Sequence, residues 1–257
     1  MMKMNMKNKP VCISQCVAAA ILASSSLAGA ALSVTPITNG DFETDLGSTV
    51  GSGIANFTQS ASDWFEKNGT TKGDALQWDV GNATIPDSAN GEVWGLLNVS
   101  TIAQTPASSP GAFYQAIGTN EANFDVYVSL DLGIRDNLPF TTVNVNLWSG
   151  NVTGADGSSL SGLGATLLDT VTIDDSIFSS GGTVPETVTL SNLNLNTGTS
   201  GVAGQTLWLE LAAVNPGGID PSNQALVDNV SVSAIPEPSS TALLGLGGLA
   251  LILRRRK

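Results

Sequence analysis

Five apolar residues at every second position, Phe124, Val126, Val128, Leu130 and Leu132, interleave with Asp125, Tyr127, Ser129 and Asp131. Side chains spaced this way cannot form one face of a helix, whose period is 3.6. They form one face of a strand, whose period is two. The alternation returns at Val143, Val145 and Leu147 against Asn144, Asn146 and Trp148, and at Leu207, Leu209 and Leu211 against Trp208 and Glu210. Shorter runs at 92–99, 112–117, 167–173, 186–190 and 225–232 also read as strands. Between them lie turns rich in Gly, Asn, Asp, Ser and Thr, and 151–164 and 194–204 read as surface loops. No run between the two ends keeps a helical period. Roughly eight to ten strands in one body predict an all-β fold, a two-sheet antiparallel sandwich or jelly roll.

Charge narrows the partners. Between residues 31 and 235 only Lys67, Lys72 and Arg135 are basic, against 21 carboxylates, a formal charge of −18 for that body. Such a body repels nucleic acid and anionic membrane, so no nucleic-acid partner is expected. The sequence contains no histidine, and its two cysteines, Cys12 and Cys16, lie near the start. Serine and cysteine hydrolase triads, the usual zinc sites and disulfides are therefore excluded from the body. A carboxylate pair, as in glycoside hydrolysis, is the remaining catalytic device. No Asp or Glu stands in a motif that would tune it as an acid, and Asp174-Asp175 reads as the top of a strand end. No catalytic residue is assigned; the expectation is a non-enzyme, with a carboxylate-pair glycosidase as the catalytic alternative.

Both ends read as address signals. Residues 1–30 have the parts of a secretory signal peptide: Lys3, Lys7 and Lys9, an apolar core at 17–23, and the small-residue site Ala28-Gly29-Ala30. Cys12 and Cys16 would leave with it. At the other end stand Pro236-Glu237-Pro238, an uncharged apolar run at 241–253, and Arg254-Arg255-Arg256-Lys257. The prolines fix their own φ and push Ile235 and Glu237 towards extended geometry. As a helix the apolar run would measure about 20 Å, short of a hydrocarbon core of about 30 Å. Gly245, Gly247 and Gly248 weaken it further. The basic cluster stops the chain on the cytoplasmic side.

This arrangement resembles the PEP-CTERM sorting signal of exported bacterial proteins, which are handled by membrane protease-transpeptidases called exosortases. The resemblance implies recognition and cleavage near Pro236, Glu237 and Pro238, with signal peptidase acting at the N-terminus. Until processing, the C-terminal helix would anchor the chain transiently in the inner membrane. The destination implied is the cell surface or extracellular polysaccharide matrix of a bacterium with an outer membrane. An ordinary anchor behind a Pro-rich linker is the alternative, but it usually takes about 20 apolar residues. The expected organisation is a signal peptide at 1–30, a β-sandwich at 31–234 and a sorting signal at 235–257.

The body carries a second resemblance. It opens on Ile37-Thr38-Asn39-Gly40-Asp41-Phe42-Glu43, with Trp64 after a loop. It continues through Phe113-Tyr114-Gln115-Ala116-Ile117 and closes on Ala225-Leu226-Val227-Asp228-Asn229-Val230-Ser231-Val232. In that order these stretches resemble the galactose-binding-like jelly roll, the fold of many carbohydrate-binding modules, over about residues 35–233. In calcium-bearing members the ion sits where the N-terminal and last strands meet, and the matching positions here are Asp41, Glu43 and Asp228. The resemblance thus implies a structural Ca2+. The alternative reading is that Asp41 and Asp228 cap turns and Glu43 is solvated.

A sugar-binding surface needs an aromatic platform with amide or carboxylate partners. Alternation places Asn144, Asn146 and Trp148 on one face, and Trp208 with Glu210 on the face opposite their leucines. Tyr127, with Asp125 and Asp131, is expected to join that surface. The alternative is that one of these faces packs on the second sheet and the tryptophans are core. Trp64, Trp78 and Trp94 read as core or loop-plug residues. Two functions follow: an exported structural or adhesive surface protein, and a carbohydrate-binding module that recognises exopolysaccharide.

Overall fold

The computed structural model describes residues 34–43, 56–58, 63–67, 75–79, 93–98, 111–134, 139–155, 157–180, 185–199, 203–214 and 223–236. Leu32–Ile235 forms one compact unit. The described strands are β1 (Asn56–Thr58), β2 (Phe65–Lys67), β3 (Ala75–Asp79), β4 (Val93–Asn98), β5 (Ala112–Thr119), β6 (Phe124–Ile134), β7 (Thr142–Ser149), β8 (Thr166–Ile173), β9 (Glu186–Asn196), β10 (Thr206–Val214) and β11 (Gln224–Pro236). Among the described residues the helical content is one 3-10 turn, Asp175–Ile177, capped by Asp174, whose carboxylate accepts the Ser176 N–H at 3.0 Å. No helix among them is long and apolar enough to cross a membrane. The expected signal peptide and C-terminal helix lie outside the described residues.

The strands make two sheets, ordered β1-β3-β4-β11-β6-β9 and β2-β5-β10-β7-β8. The all-β, two-sheet antiparallel sandwich expected from the alternation is the observed fold. Only β3–β4 and β7–β8 are consecutive strands within one sheet; every other connection between consecutive strands crosses to the opposite sheet. Such crossing brings residues far apart in sequence onto neighbouring strands, and the candidate site is assembled that way.

The inward sides follow the sequence period. Val126, Val128, Leu130 and Leu132 of β6 meet Val143, Val145 and Leu147 of β7 and Leu207, Leu209 and Leu211 of β10 in one buried cluster. Phe42 is fully buried; its ring stacks on Trp64 at 5.6 Å and lies 5.3 Å from Phe113. Trp64 and Trp94 are buried, as the sequence suggested. The N-terminal segment is held by Gln115, whose Nε2 donates to the Thr38 carbonyl at 3.0 Å and the Asp63 carbonyl at 2.7 Å. Its Oε1 accepts the Thr38 N–H at 2.8 Å.

Two irregularities depart from the expected pattern. β9 continues to Asn196, so the loop expected at 194–204 begins about three residues later. The register between β6 and β9 shifts between Val128 and Leu130, opposite Asn192 at φ 58°. A bulge of this kind changes which face each later residue occupies and so breaks the apparent period. β7 and β8 shift likewise between Leu147 and Trp148, which leaves Leu168 unpaired in the ladder and packed against the core.

Candidate functional site on the outer face of the second sheet

With Leu207, Leu209 and Leu211 turned inward, the period of two turns Trp208, Glu210 and Ala212 outward on β10. Glu210 pairs with Tyr114 of β5 on one side and Asn146 of β7 on the other, and Asn146 pairs with Thr170 of β8. In the row on one side, Trp208 pairs with Trp148 and Trp148 with Leu167. In the row on the other, Ala212 pairs with Asn144 and Asn144 with Thr172. Four of the residues expected to line a ligand surface, Asn144, Asn146, Trp148 and Glu210, therefore do stand together.

Hydrogen bonds fix how they stand. Asn146 Nδ2 and Trp148 Nε1 each donate to Glu210 Oε2, both at 2.8 Å. Thr170 Oγ1 donates to Asn146 Oδ1 at 2.9 Å, and Thr172 Oγ1 donates to Asn144 Oδ1 at 2.9 Å. The Asn146 amide has its orientation set from both ends, since its oxygen receives and its nitrogen gives. Glu210 is only 4% exposed. Both donors converge on one of its oxygens, and among the described residues no donor reaches Oε1. The arrangement is a buried carboxylate with one oxygen tied down by two donors and the other untouched by any described residue.

The neighbouring row has a different character. Trp208, a candidate for the ligand surface with a core position as the alternative, is 4% exposed and lies beneath the 150–165 loop. Tyr114, Leu160 and Trp208 form a second small core there, with Phe65, Val152, Ala165 and half-buried Trp148 packed around it. Trp208 Nε1 donates to the Gly150 carbonyl at 3.0 Å. The Tyr114 hydroxyl donates to the Ala155 carbonyl at 2.7 Å and accepts the Ala155 N–H at 3.1 Å. Phe65 stacks on Tyr114 with centroids 5.4 Å apart. The loop read as a surface connection is thus a cover clamped onto one end of the sheet. Leu167, 45% exposed, lies beyond it on the edge strand β8.

Tyr127 does not join this surface. It lies on β6 opposite Asn194 of β9, in the other sheet, as do Asp125 and Asp131. Thr170, Thr172 and Tyr114, which complete the face, were not anticipated; Thr170 and Thr172 share the β8 period, but Tyr114 gave no sign of its loop contact.

The proposed calcium positions fare differently. The Asp41 turn does meet the last strand: the Val230 N–H donates to the Gly40 carbonyl at 2.8 Å. Asp41 Oδ1 accepts the Glu43 N–H at 3.4 Å. Asp228 is buried, and its two oxygens face Asn229, accepting the backbone N–H at 2.8 Å and Nδ2 at 3.2 Å. Among the described residues no three acidic side chains converge as a metal-binding group. Calcium favours six to eight oxygen ligands and takes backbone carbonyls as well as carboxylates. The sorting positions Glu237, Pro238, Arg254, Arg255, Arg256 and Lys257 lie outside the described residues.

Residues 234–257 match the PEP-CTERM protein-sorting motif, which implies export and processing by an exosortase. No curated protein matches the chain by sequence. Among solved structures, the chain is similar to the K3 cleaved adhesin domain of Lys-gingipain from Porphyromonas gingivalis. Identity is 11% and the TM-score 0.42, over 78% of this chain and 98% of that one. It is also similar to the CBM22-1–GH10 modules of Clostridium thermocellum xylanase 10B, at 10% identity and TM-score 0.38, over 82% of this chain and 30% of that one. A third similarity is to bacteriophage CBA120 tailspike protein 4, at 12% identity and TM-score 0.40, over 77% of this chain and 21% of that one. The chain thus spans about a fifth of the tailspike domain's length but nearly all of the adhesin domain's.

Proposed function

We propose that this protein is exported, sorted by an exosortase and delivered to the cell surface or polysaccharide matrix of a bacterium with an outer membrane. There the sandwich, a jelly roll of the galactose-binding-like kind, serves as a structural or adhesive component without catalysis. The observation that carries this reading is the sorting motif at 234–257. Support for a non-enzymatic role comes from the sequence, which has no histidine and no cysteine in its body. The test is the intact mass of the mature protein from its native host. Loss of about 30 N-terminal residues and of the basic tail is expected. A product that keeps Arg254–Lys257 overturns C-terminal processing.

A second reading, a carbohydrate-binding module, is favoured by one feature: the Asn144–Asn146–Trp148–Glu210 face, where a half-buried indole borders a carboxylate with one oxygen that no described residue reaches. Retardation of the mature domain in gels containing polysaccharide, lost on Trp148→Ala, distinguishes this reading from a purely structural one. Hydrolysis of a polysaccharide by the purified domain would instead favour a glycosidase.

A further inference from the structure

We infer that the Glu210 face selects neutral polyhydroxylated glycans and excludes acidic ones; this rests on the carbohydrate-binding reading above. The argument begins with what Glu210 can still do. Its Oε2 is occupied by Asn146 and Trp148, while among the described residues no donor reaches Oε1. A carboxylate oxygen can only accept. Asn144 supplies the complement: its Oδ1 is taken by Thr172, and among the described residues no acceptor meets its Nδ2. Asn144 stands diagonally across from Glu210 on the next strand, a distance that long side chains bridge. Ala212, opposite Asn144 and next outward after Glu210, adds only a methyl group between them.

The face therefore offers one acceptor and one donor side by side, beside the indole of Trp148. Neighbouring hydroxyls of a sugar ring fit both: one donates to Glu210 Oε1 and the next accepts from Asn144 Nδ2. A uronate or other anionic group would bring a second negative charge and further acceptor oxygens against that carboxylate, where like meets like. Lys67, the only cation among the described residues, lies on β2, two strands from Glu210 across β5. No ion pair joins Lys67 to Glu210. The specificity-determining residue is Glu210.

The experiment is affinity electrophoresis of the mature domain through gels containing a neutral glucan, mannan or galactan, or alginate or polygalacturonate. It is run in 1 M salt, where the Debye length is about 3 Å and the overall charge of the body is screened. Retardation is expected in at least one neutral gel and in neither uronate gel. Glu210→Gln is the diagnostic variant: its carbonyl oxygen still accepts from Asn146 and Trp148, but its amide nitrogen replaces the free acceptor with a donor. That variant should keep its melting temperature within a few degrees, lose at least tenfold in neutral retardation and no longer reject uronate. Retardation by uronate equal to or above that by neutral glycans leaves sugar binding standing and overturns the selectivity. Unchanged neutral binding by Glu210→Gln removes Glu210 from the site. No retardation in any gel overturns both readings.

Discussion

A Cβ added to Gly40 would collide with the carbonyl oxygen of Val230, and the same glycine's own carbonyl accepts the Val230 N–H. Because the obstacle is backbone, it cannot swing aside as a flexible side chain would. Gly40→Ala should cost about 1–3 kcal/mol, the usual range for overpacking, read as a lower midpoint in urea at unchanged slope. Glu210→Ala is a different loss: it strips the acceptor from Asn146 Nδ2 and Trp148 Nε1. About 1–3 kcal/mol is expected for donors left in a buried setting, and no change would mean that water replaces the carboxylate. The period of two was enough to group Asn144, Asn146, Trp148 and Glu210, since parity decides the side of a strand. It could not separate Tyr127 from them, because parity does not say which sheet a strand joins. It left Trp208 open between surface and core, and could not show what buries it, since the covering loop contributes Leu160 from 48 residues away. Gln115, which ties the N-terminal segment down, had no local signal at all; its partners are Thr38 and Asp63.

Between β8 and β9 the chain is pinned by Glu186, whose carboxylate accepts the N–H of Ser179 at 2.9 Å and of Ser180 at 3.1 Å. These bonds, the Ser179 one first, hold its carboxyl down to about 2 from an ordinary 4.5. A pKa lowered by folding stabilises the folded state above the unfolded value and loses that contribution as pH falls through the folded one. The difference in melting temperature between wild type and Glu186→Gln should thus be constant above about pH 5, shrink below pH 4.5 and vanish near pH 2. A difference that persists at pH 2 would show that the clip does not depend on charge. The 150–165 cover offers a second test: Tyr114→Phe removes both bonds to Ala155. The amides of Ala155 and Gly157 should then exchange at least tenfold faster, while the strands of the main core keep their protection. The long alternating strands β6, β7 and β10 were visible from sequence because burial on one side writes a period over eight or more residues. Three-residue β1 and β2 are too short to show any period, and the bulge near Asn192 hid the second half of β9.

Over the body as a whole, −18 formal charges share one small surface, and mutual repulsion of this kind opposes compaction. Raising NaCl from 0.01 to 0.15 M should lift the melting temperature by several degrees, since the Debye length falls from about 30 to 8 Å. A flat response would mean that the charges are already well dispersed. Chelation is the companion measurement. The Gly40–Val230 hydrogen bond joins the two ends where the calcium was expected; a bound ion there predicts that EDTA lowers the melting temperature by more than about 5 °C through mass action, and unchanged melting would remove it. The order of the strands has one more consequence. β11 is the final piece of the body to emerge, yet it belongs in the middle of its sheet, between β4 and β6, and it reaches Pro236 inside the sorting motif. During secretion the two halves of that sheet must wait apart, like a zip missing its slider, until the last residues have crossed. A cut ahead of Gln224 would remove the strand that joins β4 to β6 and leave that gap unfilled.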